Sequence, residues 1–145
     1  MRLYDCINFQ LSATQNMVSS YFKARLAPLD ITPSQYSLLA CLWDEDMQSP
    51  SQLSQKLNLD PSSMSGLVSR LEAKKLIERI YSKEDKRSVN IHITGAGLAL
   101  KPEIMKIIDD ANVVALEGMT DEEHQIFVKC LGIIQGNMQK QKSEN

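Results

Sequence analysis

Apolar residues recur along most of this chain at the three- and four-residue intervals of a helix and switch to strict alternation only once. Ile7, Leu11, Val18, Phe22 and Leu26 trace one face of a first helix over about residues 4–27. Tyr36, Leu38, Leu39, Leu42 and Trp43 mark a second (33–45), and Leu53 and Leu57 a short third (50–57). Met64, Leu67, Val68 and Leu71, at i, i+3, i+4 and i+7, predict a fourth over 61–74. Val89-Asn90-Ile91-His92-Ile93 then alternates with period two, as a half-buried strand does, and can pair with residues 77–81 in a hairpin. A fifth helix follows Thr94, with Pro102 expected to kink it or delay its start. A sixth runs from about 121 to 140 with two adjacent apolar stripes. Phe127, Leu131, Ile134 and Met138 form one, and Ile126, Cys130 and Ile133 the other, so this helix is contacted on more than one side.

The helix starts share a grammar. Thr32-Pro33-Ser34-Gln35 and Ser49-Pro50-Ser51-Gln52 each offer a capping oxygen, a proline where a missing N–H costs nothing, and a glutamine that closes a capping box. Asp60-Pro61-Ser62-Ser63 and Thr120-Asp121-Glu122-Glu123 add two further starts, the last with acidic residues favoured by the helix dipole.

Charge sharpens the picture once it is divided along the chain. The net charge of the 145 residues is −2, yet residues 50–100 hold 8 basic and 5 acidic side chains while both flanks are acidic. Local rather than total charge governs counterion release at a nucleic-acid surface. Residues 50–74 read as helix, short turn, helix, the arrangement whose second helix enters a major groove. Opposite its core stripe that helix offers Ser62, Ser63, Ser65, Gly66, Ser69 and Arg70. Four serines and a glycine are not chosen for helix propensity. Small residues let a backbone lie close to DNA, hydroxyls bond phosphates or bases, and Arg70 can read guanine. The hairpin tip, Lys83-Glu84-Asp85-Lys86-Arg87, is long, cationic and suited to a minor groove. Asp85 is placed to orient the Arg87 guanidinium.

From about Leu29 to Gly97 the chain resembles the MarR family of transcription regulators. The resemblance rests on Leu29-Asp30-Ile31-Thr32-Pro33-Ser34-Gln35-Tyr36, on Ser51 to Leu57, on Ser65 to Arg79, on the Asp85-Lys86-Arg87 wing motif, and on Ile93-Thr94-Gly95-Ala96-Gly97. It implies a winged helix-turn-helix core (29–97, with the helix-turn-helix at 50–74 and the wing at 77–93) inside one 1–145 domain. Residues 1–28 and 98–145 would supply dimerisation helices. The fold class is mainly α with a small β-hairpin wing. It further implies a homodimer on a pseudo-palindromic operator of double-stranded DNA, released by a small-molecule effector or by oxidation. Ser62, Ser63, Ser65 and Arg70 fall on the major-groove helix, with Ser69 beside them. Arg87 falls on the minor-groove residue with Asp85 as its partner, Lys83 and Lys86 flank it, and Arg79 lies near the DNA backbone.

Other classes find less support. There is no phosphate loop or nucleophile elbow, His92 and His124 stand apart, and no cofactor or metal is expected. Cys6, Cys41 and Cys130 are odd in number and widely spaced, which excludes a disulfide framework. A thiol-sensing regulator of the same fold is an alternative, although the cysteine of peroxide-sensing members falls on Asn8, two residues from Cys6. A winged-helix module used only for protein contacts is a second. With no signal-peptide core and no membrane-length apolar run, the chain reads as cytoplasmic, with no membrane partner.

Overall fold

The computed structural model describes residues 1–145, which fall into two compact units, Met1–Ala111 and Asn112–Asn145. In the first, a single 3-10 turn (Leu3–Asp5) precedes α1 (Ile7–Leu26), and a second (Ala27–Leu29) leads to α2 (Pro33–Asp44). Then come α3 (Pro50–Leu57), α4 (Pro61–Ala73), the antiparallel strands β1 (Ile77–Tyr81) and β2 (Val89–Ile93), and α5 (Gly95–Ala99). α6 (Lys101–Ala115) carries the chain into the second unit, where α7 (Asp121–Ser143) follows.

The caps act as their residues dictate. Thr32 Oγ1 accepts from the Gln35 N–H at 3.1 Å while Gln35 Oε1 accepts from the Thr32 N–H at 3.2 Å. Ser49 with Gln52 and Thr120 with Glu123 form the same reciprocal box. Each box satisfies N–H groups that a helix start leaves without partners.

The core of the first unit is one cluster. Leu38, Leu39 and Leu42 of α2, Leu53 of α3, and Met64, Leu67, Val68 and Leu71 of α4 meet Ile77, Ile91 and Ile93 of the hairpin and Ile104 and Ile108 of α6. All four residues of the predicted α4 stripe are buried. The hairpin pairs Ile77 with Ile93 and Tyr81 with Val89, so β2 directs Ile91 and Ile93 inward. The segment after α2 adds an isolated bridge to β2, in which the Ile91 N–H donates to the Gln48 carbonyl at 2.8 Å.

The single helix expected after Thr94 is two. α5 ends at Ala99, and α6 begins after one intervening residue with Pro102 in its first turn, where no N–H is required. The Ile104 N–H donates to the Leu100 carbonyl at 3.0 Å to open the new helix. Leu100 thus caps two helices at once, and proline sets where the second starts. The 4–27 expectation also shortens, because 3-10 turns occupy both of its ends.

Candidate nucleic-acid interface

α3 and α4 are joined by a turn in which Asn58 takes a left-handed conformation (φ 52°) and Asp60 caps the second helix. The Asp60 carboxylate accepts from the Ser63 N–H at 2.7 Å and from its hydroxyl at 2.9 Å, and these bonds hold it below the ordinary carboxylate range. Ser63 is therefore committed to starting the helix even though it is exposed. Ser62, Ser65, Ser69 and Arg70 are exposed on the side of α4 away from the core. The Arg70 guanidinium folds back along the helix, its Nη1 3.4 Å from where a Cβ on Gly66 would stand. Glycine at 66 thus leaves the arginine room to lie flat on the serine face.

The wing tip spans Ser82 to Ser88 and is closed by a Ser82 N–H bond to the Ser88 carbonyl at 3.0 Å and a Ser88 N–H bond to the Asp85 carbonyl at 2.9 Å. Lys83, Asp85, Lys86 and Arg87 are all exposed. Asp85 acts differently from the expected role. Its carboxylate accepts from the Arg87 backbone N–H at 3.0 Å and forms no ion pair with the guanidinium, so it shapes the turn instead of aiming the side chain. Lys83, Lys86 and Arg87 make no intrachain ion pair, nor do Arg70 and Lys75. The other three basic residues of this segment are paired: Lys56 with Glu45, Lys74 with Asp30, and Arg79 with Glu72. The cations left for an external anion lie on α4, on the turn after it and at the wing tip.

Arg79 stands at the wing's root. Its Nη1 lies 2.6 Å from Glu72 Oε1, its backbone N–H donates to Glu72 Oε2 at 3.1 Å, and its Nη2 donates to Ser69 Oγ at 3.2 Å. The contact to Ser69 sets β1 beside the serine face of α4. Glu72 was not legible as a functional residue, since a glutamate on a polar helix face ordinarily signals only solvation. A second unforeseen group sits at the inner end of the hairpin. Asp46 Oδ1 accepts from the Ile93 N–H at 2.8 Å, and Oδ2 lies 2.6 Å from His92 Nδ1. Partial burial pushes the Asp46 carboxyl up, but bonds from the Ile93 and Met47 N–H groups and from His92 outweigh it and hold the group below its ordinary range. His92 thereby ties β2 to the segment after α2.

Two cavities adjoin these elements. One of about 330 Å³ lies between α3 and α4, lined by Ser51, Ser54, Met64, Ser65, Val68 and Arg79 among others. The other, about 480 Å³, is lined by Tyr36, Cys41, Trp43, Lys56, Lys101 and Met105 among others. All three cysteines are free. Burial pushes the Cys41 thiol up, with nearby Lys56 opposing and Asp44 adding to the rise, which reduces its thiolate. No helix is long and apolar enough to cross a membrane.

The model for the MarR family matches residues 31–89, from the last residue before the α2 cap through the wing tip. An organic hydroperoxide resistance transcriptional regulator of Bacillus subtilis is 33% identical over 107 residues, covering 74% of this chain and 73% of the relative. CouR from Rhodococcus jostii RHA1, solved bound to p-coumaroyl-CoA, superimposes with a TM-score of 0.82 at 27% identity, over 92% of this chain and 94% of CouR. A mutant of Escherichia coli MarR complexed with operator DNA matches with a TM-score of 0.83 over 92% of this chain and 98% of that one, and at 21% identity it bears on the fold alone. Matched in sequence through its helix-turn-helix and wing, and in fold over nine-tenths of its length, the chain belongs to the MarR family of DNA-binding transcription regulators.

Proposed function

We propose that the chain is a ligand-responsive repressor that binds a pseudo-palindromic operator as a homodimer. In each copy α4 enters a major groove, where Ser62, Ser65, Ser69 and Arg70 meet bases and phosphates. Ser63 fixes the helix start beside the phosphate backbone, and Arg87, flanked by Lys83 and Lys86, enters the neighbouring minor groove on a turn shaped by Asp85. The observation that carries this reading is the pairing pattern. Arg70, Lys83, Lys86 and Arg87 have no intrachain anion, although carboxylates are abundant in this chain. A wing used only for protein contacts would be expected to expose apolar or aromatic anchors at its tip, and this tip exposes cations.

The homodimer is supported by apolar surface at the two ends of the chain. Ile7 and Met17 of α1 are 52% and 75% exposed, and α7 buries none of its side chains, with Ile126 at 54% and Phe127 at 45%. A second copy covering these stripes accounts for helices that one chain leaves uncovered. On this reading residues 1–28 and 98–145 serve dimerisation and 29–97 reads DNA within one functional domain. The effector's place is the 480 Å³ cavity, where Tyr36 and Trp43 supply aromatic walls, Lys101 a cation and Asp44 a carboxylate. A ligand there bears on α2, α3 and α6 together, and so on the position of the helix-turn-helix. The resemblance to the family supports the repressor role.

Gel-shift titration against the chain's own upstream DNA tests the reading. Specific retardation is expected, with log affinity falling linearly in log salt at a slope of roughly −4 to −8, as for several neutralised phosphates. No shift with any promoter fragment at low salt would contradict it, and transcription that falls when the gene is deleted would contradict repression.

A further inference from the structure

Glu72 points away from the core, carries a charge that repels DNA and is the next-to-last residue of the helix proposed to read it. Its two carboxylate oxygens are both used by a single residue, Arg79, one on the guanidinium at 2.6 Å and the other on the backbone N–H at 3.1 Å. Arg79 in turn reaches back to Ser69 at 3.2 Å, one helical turn earlier. These three bonds bridge the short connection between α4 and β1, in which Lys75 adopts a left-handed conformation (φ 62°) and the Leu76 N–H closes onto the Leu71 carbonyl at 3.1 Å.

We propose that Glu72 is a positioning residue for DNA binding: by clamping Arg79 it fixes the angle between the reading helix and the wing, so that both reach their grooves as one rigid body. The clamp therefore spends Arg79 on geometry instead of on a phosphate. The mechanical reason is leverage. From Arg79 to Lys83 at the tip the chain spans at most about 13 Å, so a rotation of roughly 10° at the wing's root moves the tip by up to about 2 Å. That is enough to take an arginine out of hydrogen-bond range. Two contacts on a rigid body also reinforce one another, because making the first holds the second at high effective concentration. Loosening the joint removes that gain without touching either contact.

This inference rests on the proposed reading of α4 and Arg87, and a double-mutant cycle separates the two. Operator affinity is measured for the wild type, Arg87→Ala, Glu72→Gln and the pair, and again with Arg79→Met in place of Glu72→Gln. Arg87→Ala alone is expected to weaken binding by about tenfold or more. In either clamp variant its further effect should shrink to less than about threefold, even though residues 72 and 87 do not touch. Glu72→Gln should itself weaken binding, against the sign expected for removing an anion near DNA. A merely structural role would lower the melting temperature and leave the Arg87 factor intact, and that result overturns the proposal. Tighter binding with a steeper salt dependence in Glu72→Gln also overturns it, since Arg79 would then be a phosphate ligand set free. If Arg87→Ala has no effect in the wild type, the underlying reading of the wing fails instead.

Discussion

Replacing Gly97 by alanine is expected to destabilise the fold by about 3 kcal/mol, a large share of a small domain's stability. A Cβ at this position would fall well inside van der Waals contact distance of the Leu76 carbonyl oxygen and 2.6 Å from Ile93 Cδ1. The oxygen belongs to backbone and cannot turn aside, because the Thr94 N–H donates to it at 3.1 Å. Gly97 is also fixed from both of its polar groups, its N–H donating to Thr94 Oγ1 and its carbonyl accepting from the Trp43 indole, each at 3.1 Å. The whole of α5 would have to move off the hairpin. Gly95→Ala, two residues away with open space around it, supplies the control and should be neutral or stabilising by roughly 0.5–1 kcal/mol. Urea denaturation checks both. The midpoint should fall for position 97 with an unchanged slope, and equal midpoints for the two variants would mean the close approach carries no energy.

Leu131→Asp is expected to convert a dimer into a monomer. Leu131 lies in the middle of the Phe127, Leu131, Ile134, Met138 stripe of α7, and no residue of that helix is buried within its own chain. If a second copy covers the stripe, the interface gains two unpaired carboxylates, one from each copy, at a cost of roughly 3–5 kcal/mol per buried charge. Light scattering should give the mass of two chains for the wild type and of one for the variant. Circular dichroism should show that the helices persist, because the core of the first unit contains no α7 residue. Operator binding should weaken with it, since two half-sites are then engaged independently. A variant that stays dimeric would move the interface off α7.

What the sequence made legible was local. Each proline-marked helix start lies within a residue of its expected place, because a cap is a contact between residues three apart. The Met64, Leu67, Val68, Leu71 stripe announces its burial through periodicity alone, and the serine face is exposed by the same arithmetic. Arg70 and Arg87 were legible as chemistry, but not that both lack internal partners. What stayed hidden depends on distant residues meeting. Asp46 finds His92 and Ile93 across 46 and 47 positions, and nothing in either neighbourhood signals the other. Gln48 joins the hairpin through its backbone, which no side-chain pattern encodes. The Glu72–Arg79 clamp spans seven positions but also a change from helix to strand, so neither a helical nor a strand period brings the two together. Pro102 was ambiguous because its ring is tolerated in a first turn and disruptive later, and only the helix start at Lys101 decides between these.

The most direct test of the account maps where two points on the protein sit on bound DNA. With Cys6, Cys41 and Cys130 replaced by serine, Ser65→Cys and Lys86→Cys would each carry a tethered iron chelate that cuts DNA locally. Position 65 is expected to cut within two major-groove tracts centred about one helical turn, roughly 10 base pairs, or a multiple of it apart. Position 86 should cut in the minor groove beside each tract. Tight operator binding with no cutting from position 65, or with cutting from position 86 confined to the same major-groove tracts, would contradict it.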